Sequence, residues 1–143
     1  MGAALVDANV VFAFRSARDQ YHDQATAIVR AMDAGELPRG IIANYTLPEI
    51  LNPITKRAGH DHAVETLEFL ERSGGFELRH LANEDLARGR SVFREQAGVE
   101  ITDAVLAAYM DRTETEYIYS FDDDFDRFDH LTRLTSPENP FEP

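Results

Sequence analysis

Ala3-Ala4-Leu5-Val6-Asp7-Ala8-Asn9 decides the fold. Four apolar residues in a row are too few for a buried helix and enough for a buried strand, and the aspartate that ends the run marks the start of a turn or a new helix. The same design recurs far along the chain, where Tyr117-Ile118-Tyr119-Ser120 leads into Phe121-Asp122-Asp123-Asp124-Phe125. Two apolar strands that each give way to an acid place those acids at carboxyl ends of strands. In open parallel sheets that is where sites are built.

Working outward, apolar periodicity predicts alternating strands and helices. A short helix runs through Val10, Val11, Phe12 and Phe14, and a second spans Gln20 to Ala34, with Ala25, Ile28, Val29 and Met32 at helical spacing and Gly35 as its stop. Gly40-Ile41-Ile42-Ala43 reads as a strand. Thr46-Leu47-Pro48-Glu49 opens a helix that Gly59 ends, with Thr46 as the expected cap. Further helices are expected at Asp61–Arg72, Asn83–Gln96 and Thr102–Asp111, and strands at Phe76–Leu81, Tyr117–Ser120 and Leu131–Leu134, with a turn through Asp122 to Asp126. This order predicts a three-layer α/β/α sandwich around a mostly parallel sheet. Residues 1–135 make one domain, and residues 136–143, rich in proline, form an irregular tail.

Composition narrows the chemistry. The chain of 143 residues has no cysteine, so thiolate nucleophiles, thiolate metal sites and disulfides are excluded, and a reducing cytoplasm is the expected setting. No export signal and no membrane-spanning stretch is legible. Acidic residues number 26 against 14 basic ones, for a net charge of −12, and Lys56 is the single lysine. Such a surface repels nucleic acid in general, although it leaves room for a nuclease whose metals meet the phosphate. A carboxylate-rich, lysine-poor surface also keeps proteins soluble in concentrated salt.

Four separated acids carry the functional argument: Asp7, Glu49, Asp103 and Asp122 each stand where one element hands over to the next. Clustered like charges are unfavourable without a cation, and carboxylate oxygens select hard divalent ions such as Mg²⁺ or Mn²⁺. Each acid also has a purely structural explanation. Asp7 can cap a helix, Glu49 can complete a capping box with Thr46, Asp103 can favour a helix dipole, and Asp122 can start a turn. Other readings fail on the residues. The run from Asp122 to Asp126 lacks the glycine and the terminal glutamate of a calcium loop, having Arg127 and Arg133 there. Asp7-Ala8-Asn9 lacks the second aspartate of a phosphatase nucleophile motif, and the five histidines show no zinc spacing.

The ordered set Leu5-Val6-Asp7-Ala8-Asn9, Glu49, Ile101-Thr102-Asp103 and Ser120-Phe121-Asp122 resembles the PIN-domain nucleases almost end to end, and within them the VapC-type toxins of toxin–antitoxin pairs. Ser120 stands where the family more often has threonine. The resemblance implies that Asp7, Glu49, Asp103 and Asp122 converge as catalytic residues on one or two Mg²⁺ or Mn²⁺ ions. It further implies Asp124 as an outer ligand, with Asn9 and Ser120 orienting the carboxylates. The expected activity is hydrolysis of RNA to 5′-phosphate and 3′-hydroxyl ends. A cognate antitoxin and a second copy of the chain are the expected partners. The alternatives are an RNA-processing PIN nuclease outside a toxin pair and a non-catalytic PIN-like binding module. Arg15, Arg18, Lys56 and Arg57 are the candidate phosphate contacts. Phe12, Phe14, Tyr21 and Tyr45 are expected in the core or an interface.

Overall fold

The computed structural model describes residues 2–142. Its sheet is built from β1 (Ala3–Val6), β2 (Arg39–Ala43), β3 (Phe76–Arg79), β4 (Tyr117–Tyr119) and β5 (Thr132–Leu134), in the order β3-β2-β1-β4-β5. Every pairing is parallel. The expectation of a mostly parallel sheet is therefore met in its stricter form, since each strand but the last is followed by a helical crossover long enough to return the chain to the same end.

Alternation along the strands makes the two cores. Ala4, Val6 and Ile42 face one side, where they meet α1 (Ala8–Arg15), α2 (His22–Asp33), α3 (Thr46–Ala58) and α4 (His60–Arg72). Leu5, Ile41 and Ala43 face the other, against α6 (Ile101–Thr113), which is backed by α5 (Asn83–Glu95). Helix α6 is buried over Asp103 to Met110 without interruption, as a helix clamped between sheet and neighbour must be. Gly89 makes that clamp close: a Cβ there would stand 2.8 Å from the Val105 Cα. Asp85, also on α5 and 1% exposed, accepts hydrogen bonds from Arg112 of α6 at 2.7 and 2.9 Å. Helices α5 and α6 are thus tied at Val105 and again at Arg112.

Three boundaries differ from the sequence reading in an instructive way. Thr46 does not cap α3; it is the first helical residue, Tyr45 precedes it, and the Thr46 hydroxyl is buried without a hydrogen-bond partner. The capping box with Glu49 is consequently absent. Helix α2 starts two residues later than expected because the Asp19 carboxylate accepts the Tyr21 N–H and holds a turn. The acidic run after β4 is a 3₁₀ helix (Asp123–Arg127). Residues 136–142 carry no helix or strand, yet they are pinned: the Tyr119 hydroxyl donates to the Glu138 carbonyl at 2.7 Å, and Phe141 packs edge-on to Tyr117. No helix among the described residues is long and apolar enough to cross a membrane.

Candidate metal centre

The strand order reverses direction on either side of β1, so the loops after β1 and β4 diverge from neighbouring strands and leave a crevice between them. Asp7 ends β1 and its N–H donates to the Tyr119 carbonyl of β4. The acid is then fixed by two bonds: one carboxylate oxygen accepts the Ala8 N–H at 2.8 Å and the other accepts the Ser120 hydroxyl at 2.6 Å. Asp7 caps α1 as its local sequence allows, and it also faces the crevice.

Ser120, fully buried, is the hinge of the arrangement. Its oxygen accepts the Asp122 N–H at 3.0 Å while donating to Asp7. The Asn9 amide nitrogen approaches the same oxygen at 3.4 Å, and the Asn9 carbonyl oxygen accepts the Phe121 N–H at 3.2 Å. The Phe121 ring lies flat on Tyr21, 4.4 Å between centroids, and holds the loop from above. Asp122 accepts the Asp124 N–H at 2.9 Å. Ser120 thus holds the Asp7 carboxylate and the Asp122 backbone together, and Asn9 braces the Phe121 backbone between them.

Glu49 on the first turn of α3 and Asp103 on the first turn of α6 close the hollow, which measures about 310 Å³. The same hollow is lined by Glu100, Phe12, Pro53 and Arg57. All four expected acids therefore converge. Asp103, Asp122 and Asp124 come closer still, each offering an oxygen within 4.8 Å of the others. Glu100 was not legible as a site residue: an acid just ahead of a helix is ordinary, and its meaning appears only when α6 is aimed at β1 and β4. Of the four cationic candidates, Arg57 borders the hollow, whereas Arg15 is turned toward His62 and Glu65. His62 serves in that contact, His22 bonds the Ala13 carbonyl and His130 the Ala107 carbonyl, in line with packing roles.

Electrostatics shows what such crowding costs. Burial, with Asp7, Asp122, Glu100 and Glu49 nearby, pushes the Asp103 carboxyl up to about 8. Burial, together with Asp7 and Glu100, raises Glu49 to about 7 although the residue is largely open to solvent. Asp7 is raised by burial in spite of its two donors. The Asp103 Oδ2 atom is buried and has no hydrogen-bond donor, which is rare for an acid inside a protein. An all-oxygen set with an orphaned buried carboxylate oxygen fits a hard divalent cation, which would satisfy that atom and cancel the repulsion.

A family model described as the PIN domain matches residues 4–131. The chain belongs to the PIN-domain family. Solved structures share its fold. VapC20 of Mycobacterium tuberculosis, described as a toxin that cleaves the sarcin–ricin loop, superposes with a TM-score of 0.73 at 22% identity, over 90% of this chain and 96% of that one. VapBC2 of Rickettsia felis, solved on a promoter DNA fragment, gives 0.69 at 10% identity, over 92% and 97%. A toxin–antitoxin complex of Klebsiella pneumoniae gives 0.64 at 18% identity, over 95% and 98%. No curated protein matches the sequence significantly. The shared fold takes in nearly the whole of each of these three structures.

Proposed function

We propose that this PIN domain is a divalent-metal-dependent endoribonuclease, the toxin half of a type II toxin–antitoxin pair. The observation that carries the reading is the unpaired, buried Asp103 Oδ2 beside Asp122 and Asp124. Asp7, Glu49, Asp103 and Asp122 are assigned the catalytic, metal-holding role, with Asp124 as outer ligand and Mg²⁺ or Mn²⁺ as the ion. When bound, that ion supplies Lewis acidity at the phosphoryl oxygens and acidifies the attacking water.

The chain's own residues do the positioning. Asp7 and Asp122 are held by Ser120 and by the backbone N–H groups of Ala8 and Asp124, so their free lone pairs are aimed before a ligand arrives. Asn9 braces the same loop through Phe121. Asp103 and Glu49 hold protons near neutral pH in the cation-free protein and release them when a cation binds, so binding tightens as pH rises through 7 to 8.

The toxin assignment draws support from the solved relatives, two of which are toxin–antitoxin complexes or carry an antitoxin name. A cognate antitoxin with a basic or amphipathic segment would cover the acidic hollow. Homodimerisation rests on the family, because the apolar residues of the first four helices are mostly taken up by the core; among those described, Val64 at 36% is the most exposed large one. Incubation of purified protein with RNA in Mn²⁺, alongside Asp122→Asn, tests the nuclease. Co-expression with the adjacent small reading frame tests the pair, where failure to isolate a complex would remove the antitoxin.

A further inference from the structure

Seven of the thirteen arginines, Arg72 and Arg127 among them, lie within ion-pair reach of a carboxylate. Arg15, Arg39, Arg79, Arg112 and Arg133 each hydrogen-bond a carboxylate. Arg57 differs: it borders a hollow lined by Asp7, Glu49, Glu100, Asp103 and Asp122, yet forms no ion pair with any of them. Its guanidinium instead lies over the Phe12 ring, 5.2 Å from the centroid. A cation seated on an aromatic face is held in place without being neutralised.

Position adds to this. Glu49, Pro53 and Arg57 recur at four-residue intervals along α3, so one helix face presents both a carboxylate and a cation to the same hollow. Among the described residues, Arg57 is the single lysine or arginine lining it. A protein of net charge −12 repels a polyanion overall, so the phosphates beside the cleaved one need a local positive partner. A guanidinium suits that task, because its planar donors match phosphate oxygens in pairs.

Resting on the nuclease reading above, we propose that Arg57, held on the Phe12 ring at the rim of the acidic hollow, binds an RNA phosphate adjacent to the scissile one. Its place in the last turn of α3 also suits the helix dipole. That structural role would not respond to the ionic strength at which RNA binds. Salt dependence therefore separates the two.

The test measures binding of a fluorescein-labelled, mixed-sequence 20-nucleotide single-stranded RNA by anisotropy in Ca²⁺, across a KCl series, with probe integrity checked on a gel. Arg57→Ala is expected to weaken binding about five-fold and to flatten the plot of log affinity against log salt by about 0.7, the loss of one single-strand phosphate contact. Arg57→Lys should keep the slope. Arg72→Ala, which removes an exposed arginine on α4, should leave both quantities at wild-type values. Should the alanine variant melt early, Arg57→Gln, which keeps the stem over Phe12, gives the same comparison. Wild-type affinity and slope in Arg57→Ala, or an equal loss in Arg72→Ala, would overturn the inference. A wild-type protein that binds no RNA would overturn it together with the nuclease reading, whereas a lost slope in a protein that never cleaves RNA in Mn²⁺ would sink the nuclease alone.

Discussion

Replacing Asp103 by asparagine should stabilise the metal-free protein, and the gain should grow with pH. In the folded chain the Asp103 carboxyl is raised to about 8 from its usual 3.8 by burial and by the acids around it. Folding therefore favours the protonated form. Its contribution is fully present below the unfolded value and is lost as pH rises through the folded one. The gap between about 8 and 3.8, at roughly 1.4 kcal/mol per pH unit, sets a ceiling near ~6 kcal/mol on what ionisation costs at pH 9. Water in the open hollow and proton sharing among neighbouring acids bring the expected cost to about 2–3 kcal/mol. The asparagine amide carries no charge and can donate to the surrounding carboxylates, so the variant avoids that cost. At about 3 °C per kcal/mol for a domain of this size, Asp103→Asn should melt about 6–9 °C above wild type at pH 9 in EDTA. The two should coincide within about 2 °C at pH 4, so close to the unfolded value of 3.8 that ionisation of the unfolded chain has cost the wild type little stability. Thermal unfolding followed by circular dichroism across pH 4–9 measures this. A variant that melts below wild type at pH 9, or a difference that does not change with pH, would refute the reasoning.

Other outcomes follow from the same geometry. Saturating Mn²⁺ should raise the melting temperature of wild type more than that of Asp103→Asn, and isothermal titration in two buffers should show proton release on binding near pH 7; identical metal responses would count against the site. Glu49→Gln should abolish RNA cleavage without lowering the melting temperature, because Glu49 takes no part in a capping box; retained activity would remove it from the catalytic set. Gly89→Ala should destabilise the fold by about 2–3 kcal/mol, since the new methyl meets the backbone of α6, and urea unfolding would expose the error if stability were unchanged. With a net charge of −12, the protein should melt higher in molar KCl, where the Debye length falls to about 3 Å; a flat or falling dependence would contradict the self-repulsion argument.

Strand-and-helix order was legible because burial leaves a periodic trace. Leu5 and Ile41 on one face, with Ala4, Val6 and Ile42 on the other, need no partner knowledge to read as two-sided strands. The convergence of Asp7 and Asp122 was legible for a related reason: acids at the ends of parallel strands share an end of the sheet. What stayed hidden depends on helix orientation. Glu100 and Pro53 line the hollow because α6 and α3 arrive at particular angles, which a one-dimensional pattern does not encode. Thr46 misled because a hydroxyl three residues before a glutamate is the usual signal of a capping box, and here Tyr45 and the packing of α3 shift the helix start by one residue. Arg57 could be nominated from sequence beside Arg15, Arg18 and Lys56, but only the Phe12 contact and the shared hollow single it out.

The most direct test is RNA cleavage by the purified protein in Mn²⁺, in EDTA, and in the Asp122→Asn variant with its fold verified by circular dichroism. The arrangement of Asp7, Glu49, Asp103 and Asp122 predicts cleavage with 5′-phosphate ends in Mn²⁺, and none in EDTA or in the variant. Full activity in EDTA, or a wild-type rate in Asp122→Asn, would contradict it.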